Sequence, residues 1–133
     1  SADMGGVSYS IGYAASEGAA NVSANHMGVS VTAGDITVGI ATADNETSTT
    51  SKEEVTSYGV TYVMSDALSL NAGHVNSENT LASKEMTMTS VGVSYTIASG
   101  LAAHIANNSF DYKESSATVN DGSIMRVMLT LSF

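Results

Sequence analysis

The chain has 133 residues, a formal net charge of −9 and a mean hydropathy of +0.09, and it contains no Cys, Pro or Trp. Its four Lys and Arg residues are too few for a nucleic-acid-binding patch, so nucleic acid is excluded as a partner. The lack of Cys excludes disulfides and thiolate metal sites. No apolar run reaches the roughly 18 residues of a membrane helix, whereas a membrane β-barrel is compatible with this sequence because its strands alternate.

Only 13% of the residues are charged, about half the usual share of a soluble domain. Ser, Thr, Gly, Ala and Asn take their place, and these side chains face water while occupying little space. The length is that of one ordinary domain, so residues 1–133 are predicted to form a single unit.

Apolar and small polar residues alternate along most of the chain, which is typical of β-strands with two different faces. In chain order, the predicted strands include residues 7–13, 27–32, 36–40, 58–64, 68–73, 91–97, 101–106 and 124–133. The pattern predicts an all-β fold, an antiparallel up-and-down β-barrel segment with about eight strands. At about nine to twelve residues each, such strands are long enough to cross a bilayer at a tilt.

The connections between these strands also alternate in length. Tight turns are predicted at 33–35, 65–67 and 98–100. Longer polar loops are predicted at 17–25, 44–54, 76–85 and 112–121. Short turns at one end and long loops at the other are typical of outer-membrane barrels, whose short turns face the periplasm. The similarity of 57–68 to 90–101 predicts a meander in which chain neighbours pair.

The two parities of the strands differ in a way that favours a membrane barrel over a soluble β-rich protein. A soluble sheet usually carries charged side chains on its wet face, whereas here the charges concentrate in the predicted loops. Tyr62, Tyr95 and Phe133 lie near the short-turn ends, as in an interfacial aromatic belt. We therefore expect the face of each strand that carries Val, Leu and Tyr to contact hydrocarbon. The face that carries Ser, Thr and Gly is expected to contact water. A soluble β-rich protein remains the alternative.

This assignment yields two sets of candidate site residues. The candidate pore-lining residues are Ser30, Thr32, Thr61, Asn71, Ser94, Thr96, His104 and Arg126. The predicted lipid-facing and assembly residues are Tyr62, Tyr95, Val127, Leu129, Leu131 and Phe133. Arg126 either contributes to a transverse field across a pore or forms a salt bridge inside the barrel.

The end of the chain, 127–133, resembles the C-terminal signature of outer-membrane proteins, with alternating hydrophobic residues closing on a Phe. The Gly-Val-Ser-Tyr segment at 92–95 and the Ser-Asp-Ala-Leu turn at 65–68 resemble Gram-negative porins, particularly those of alphaproteobacteria. The resemblance implies passive diffusion of small hydrophilic solutes and ions across the outer membrane. It also implies lipid and lipopolysaccharide as surroundings, recognition of the Phe133 strand by the barrel-assembly machinery, and a homotrimer.

Porins of this kind have 16 strands, so we expect this chain to be the C-terminal half of a longer protein. Such small inward residues would leave voids in a closed eight-stranded barrel. The alternative is a complete eight-stranded barrel with a structural or adhesive role. No catalytic motif, metal site or cofactor is predicted, so the chain is expected not to be an enzyme. The acidic excess predicts a mild preference for cations.

Overall fold

The computed structural model describes residues 2–18, 22–48 and 51–132. They form one antiparallel sheet in which every strand pairs with its neighbours in the chain. The strands are β1 (Ala2–Met4), β2 (Val7–Glu17), β3 (Ser23–Ala33), β4 (Ile36–Ser48), β5 (Ser51–Val63), β6 (Leu68–Asn79), β7 (Lys84–Ala98), β8 (Leu101–Glu114) and β9 (Ala117–Leu131). The predicted all-β up-and-down fold is confirmed. Among the described residues, β1 and β9 do not pair, so the sheet is open, and no helix there is long and apolar enough to span a membrane.

The strands extend much further than the sequence pattern predicts, and the prediction of four long loops is wrong. β7 and β9 have 15 residues each, and the connections at the far end shrink to 80–83 and 115–116. Of the other two predicted loops, residues 19–21 and 49–50 lie outside the described part of the chain. The physical reason is that loss of apolar alternation does not end a strand. Backbone pairing continues through polar residues, and cross-strand ion pairs such as Lys84–Glu114 support it.

The three predicted tight turns are confirmed. Gly34 and Gly100 adopt positive φ values of 56° and 77°, a conformation that favours glycine and that tight hairpin turns require. In the turn at 65–67, the Ser65 hydroxyl accepts a hydrogen bond from the Leu68 N–H at 3.1 Å. A further turn at Gly5–Gly6 joins β1 to β2. The sequence pattern missed it because three residues of β1 are too few to show an alternation.

The two faces of the sheet differ in exposure. We call the face that includes Thr61 the polar face, and the opposite face, which includes Val60, the apolar face. Along β5, Ser57, Gly59 and Thr61 are half-buried, whereas Tyr58 and Val60 are 55% and 41% exposed. Side chains converge on the concave side of a curved sheet and diverge on its convex side, so the polar face lies on the concave side.

No apolar side chain among the described residues is buried, so the sheet has no hydrophobic core of its own. A soluble β-sandwich hides its apolar face against a second sheet, and the described residues form a single sheet. The apolar face therefore needs a non-aqueous environment or a partner, because exposed apolar patches of this extent are rare on soluble monomers. This observation counts against the soluble alternative.

Candidate functional site

The polar face brings the eight candidate pore-lining residues together on one side of the sheet. Following the register from strand to strand, Thr32, Thr61, Asn71 and Arg126 occupy one row that runs across the sheet. Thr32 is tied to Thr37 in the neighbouring strand by a 2.9 Å contact between their hydroxyl oxygens. Neutral hydroxyl and amide groups therefore form most of this wall, and such groups can interact with water or polar solutes.

The remaining candidates flank this row on the same face. Ser94 and His104 are direct partners in β7 and β8, and the Ser94 Oγ lies 2.9 Å from the His104 Nδ1. Thr96 lies two residues beyond Ser94 towards the short turns. Ser30 lies two residues from Thr32 towards the opposite end of the sheet. Their common face is established by the register, whereas their contact with a pore stays a prediction.

A shallow trough of about 670 Å³ opens on the polar face. Its walls carry small residues, among them Ser30, Gly39, Gly59 and Gly73. Gly92 is the only buried residue in the described part of the chain. A Cβ atom added to Gly92 would lie only 2.6 Å from the Asn71 Oδ1. Any side chain at Gly92 would therefore displace the Asn71 amide.

The polar face also carries bulky apolar residues that the sequence analysis missed. Val75, Met88 and Phe110 are consecutive cross-strand partners on this face, and Met86 and Ile124 are their neighbours. Except for Ile124, they lie beyond the ends of the predicted strands. This face is therefore bulkier than the small residues of the predicted strands indicate. The signal was available, because Met86 and Met88 continue the parity of Gly92 and Ser94.

Arg126 is exposed on the polar face and forms no ion pair with any described residue. Its cross-strand partner is Ala106, which offers no charge. Arg126 therefore forms no salt bridge within the described part of this sheet. Its charge is free to interact with solutes on the polar face.

The apolar face carries all the predicted lipid-facing residues that the structure describes. Tyr62 and Tyr95 are 43% and 50% exposed near the short-turn ends of β5 and β7. Val127, Leu129 and Leu131 form an exposed apolar line along β9. Phe133 lies outside the described residues, so its predicted role stays a prediction.

The apolar band runs diagonally across the hydrogen-bonded rows. In β2 it extends from Val7 to Tyr13, and the register places these two residues level with Val127 and Asp121 of β9. In β9, however, the band extends from Met125 to Leu131. Both edges of the band are therefore displaced by four residues between β2 and β9. This is about 13 Å along the strands over about 34 Å across the sheet, a slope of roughly 20°. A horizontal apolar layer crossing tilted strands produces such a diagonal.

Above the apolar band, at the end away from the short turns, charged side chains pair across neighbouring strands. The Lys84 Nζ lies 3.2 Å from the Glu114 Oε1, and the Tyr112 hydroxyl donates a 2.8 Å hydrogen bond to the same carboxylate oxygen. The hydrogen bond from Tyr112 and the pairing with Lys84 lower the pKa of Glu114 below its usual 4.5. The hydrogen bond and charge of Glu114 raise the pKa of Lys84. Lys52 pairs with Glu54 within β5 itself.

The three histidines are separated in the sheet. His26 and His104 lie on the polar face, many residues apart, and His74 lies on the apolar face, where it stacks on Tyr58 with ring centroids 5.1 Å apart. The His74 Nδ1 is 2.9 Å from the Thr89 hydroxyl. Within the described ranges, no three His, Asp or Glu side chains are grouped as a metal site would require.

The chain is similar to two solved structures of OmpT, an outer membrane protein of Vibrio cholerae. For the in-vitro folded protein, the TM-score is 0.59 at 20% identity over 92% of this chain and 49% of that one. For a mutant lacking loop L8, the TM-score is 0.56 at 19% identity over 96% of this chain and 51% of that one. The fold is that of an outer-membrane β-barrel. No protein-family model and no curated protein sequence matches the chain.

The chain spans about half the length of these OmpT structures. The predicted outer-membrane location agrees with the description of both. The prediction that the chain is not an enzyme is wrong, because the comparisons do not exclude an enzyme. Both matches are to a barrel named OmpT, the likeness reaches only the fold, and one fold supports different activities, catalysis included.

Proposed function

We propose that this chain forms about half the wall of an outer-membrane porin, a water-filled channel through which small hydrophilic solutes and ions diffuse passively. The observation that carries the proposal is that a single sheet without a hydrophobic core has two different faces. The convex face presents an exposed, diagonal apolar band, and the concave face presents small neutral polar residues around an open trough. A wall of this kind separates hydrocarbon from water and leaves room for solutes.

The proposed role as half of a barrel is supported by the small residues of the polar face. We propose from the resemblance alone that it is the C-terminal half of a porin like those of alphaproteobacteria. The interior of a closed eight-stranded barrel is filled by side chains, and glycines such as Gly39, Gly59 and Gly73 leave it unfilled. The open sheet and the match to about half of OmpT agree with this proposal. A complete small barrel with a structural or adhesive role is the alternative, and it predicts no conductance.

The partners follow from the same proposal. The apolar face would contact outer-membrane lipid, and the paired charges beyond it would face the lipopolysaccharide layer. The β9 strand ending at Phe133 would be recognised by the barrel-assembly machinery. A homotrimer is proposed from the resemblance to porins.

The test is conductance of the full-length protein in planar lipid bilayers, with a matched pair of substitutions. Ser30 and Val31 are adjacent in β3 and lie on the polar and apolar faces, respectively. Ser30→Trp is expected to lower the single-channel conductance, because an indole side chain would enter the trough. Val31→Trp is expected to leave it unchanged, because its side chain meets lipid.

Protein that folds but stays electrically silent would refute the channel and support the small structural barrel. Conductance that falls in Val31→Trp but not in Ser30→Trp would reverse the assignment of the two faces. Folding is checked separately by the shift in gel mobility on heating, which intact outer-membrane barrels show.

A further inference from the structure

We infer that the polar face selects amphiphilic organic anions, meaning solutes with an apolar tail and one negative group. This inference rests on the proposed channel and names its preferred solutes. Two features of the described residues carry it, an apolar shelf and an unpaired cation beside it. We define the apolar shelf as Val75, Met86, Met88, Phe110 and Ile124.

The shelf is continuous because its members are neighbours in register. Val75 pairs with Met88, and Met88 pairs with Phe110. Phe110 in turn pairs with Gly122. A Cβ atom added to Gly122 would lie 3.0 Å from the Phe110 Cζ. Glycine at 122 thus lets the far end of the ring approach β9 closely, two residues before Ile124. Val75 and Met88 form part of the trough wall, so the shelf borders open space on the concave side.

The cation follows the shelf directly. Ile124 and Arg126 are alternate residues of β9 on the same face, about 7 Å apart along the strand. His104 lies on the same face of β8, next to Arg126 in the diagonal direction. On the polar face of the described parts of β2–β9, the carboxylates are Glu53 and Glu114. Both lie at the end away from the short turns.

Those two carboxylates are already engaged. Glu53 accepts a 2.7 Å hydrogen bond from the Ser77 hydroxyl, and Glu114 is held by Lys84 and Tyr112. The cation preference expected from the net charge is therefore not supported at the level of Arg126, because most of the acidic side chains lie on the opposite face or beyond the apolar band.

The chemistry of the two features defines one class of solute. Methionine and phenylalanine side chains contact apolar tails of different shapes, and a guanidinium binds a carboxylate through paired hydrogen bonds. A solute with both groups contacts both features at once. A polyhydroxylated anion contacts only Arg126, and an apolar cation is repelled by it.

The test compares three six-carbon ions in planar bilayers containing the full-length protein. Hexanoate has the tail and the negative charge, gluconate has the charge without the tail, and hexylammonium has the tail with the opposite charge. Reversal potentials under ion gradients give the permeability ratios. We expect hexanoate to permeate better than both others.

Two sets of variants separate the two features. Arg126→Gln is expected to lower the hexanoate to hexylammonium ratio by roughly 15-fold, because one unit charge met at about 5 Å in water changes the population of each ion about fourfold and in opposite directions, while Arg126→Lys retains the ratio. Replacing Met88 and Phe110 together by Ser is expected to lower the hexanoate to gluconate ratio and to leave the charge preference intact. Phe110→Leu retains an apolar shelf and is expected to retain the ratio.

Met64→Ser is the control, because Met64 lies beyond the end of β5 at the short-turn end. It is expected to change neither ratio. A conducting channel whose ratios are unchanged in both Arg126→Gln and the double variant overturns the solute inference alone. A channel that never conducts overturns the proposed function, and the solute inference with it.

Discussion

Adjacent arginine substitutions in β5 provide a direct test of which face contacts lipid. Val60 lies on the apolar face inside the diagonal band, and its cross-strand partners are Val38 and Ala72. Thr61 lies on the polar face, between Thr37 and Asn71, and borders the trough. An arginine facing lipid near the middle of the bilayer costs about 2–4 kcal/mol. Facing the trough, its guanidinium stays in water, so the cost is expected to be within about 0.5 kcal/mol.

The measurement is the free energy of folding into phospholipid vesicles, obtained from urea titrations in which folded protein is quantified by its heat-dependent gel mobility. For Val60→Arg, the cost corresponds to a fall in the folding equilibrium constant of roughly 30-fold to several hundredfold. Thr61→Arg serves as the matched control, because it adds the same side chain one residue away. Equal costs for both variants, or a larger cost for Thr61→Arg, would refute the assignment of the faces.

Two further predictions concern the ends of the sheet. In Tyr112→Phe, the pKa of Glu114 is expected to rise towards its usual value, because the hydrogen bond from Tyr112 is the largest cause of its depression; a ¹³C-detected NMR titration of the carboxyl group measures it. The stabilising pairing of Glu114 is present above that usual value and is lost as the pH falls through the lowered pKa. Gly100→Ala is expected to destabilise by about 1–2 kcal/mol or more, since Gly100 has a positive φ and an added Cβ would meet the Ser132 carbonyl oxygen. Ser99→Ala, in the same turn, should stay within about 0.5 kcal/mol in the same urea titration.

The central strands and the tight turns were predictable from the sequence because strong local signals specify them. Period-two alternation identifies segments such as 58–64, and a glycine that adopts positive φ marks each of the turns at 34 and 100. One face of each strand is uniformly apolar there, so the register cannot slip by one residue without exchanging the faces.

The outer ends of the strands were not predictable by the same signal. Beyond the apolar band, both faces are polar, so alternation of hydropathy disappears while backbone pairing continues. Lys84 and Glu114 are 30 residues apart in the chain, and only the register shows that they are partners. The same early ending of the predicted strands concealed Met86, Met88 and Phe110, and with them the apolar shelf.

The polar face contains a second pattern whose direction matches that of the apolar band. Apart from Gly122 in β9, which lies level with Gly12, the glycines of this face follow a descending line from strand to strand, in the order Gly12, Gly28, Gly39, Gly59, Gly73 and Gly92. Gly12 and Gly28 are partners, Gly59 and Gly73 are partners one step lower, and Gly92 lies another step lower.

The apolar band and the glycine line lie on opposite faces and consist of different residue types, so neither pattern requires the other. A common direction of descent is expected if both are horizontal in a membrane that the strands cross at a tilt. The band then marks the depth of the hydrocarbon, and the glycines mark the depth at which the wall carries the least side-chain volume. In a soluble sheet, no external plane would align the two faces. The agreement between the faces therefore supports the membrane orientation independently of the apolar character of either one.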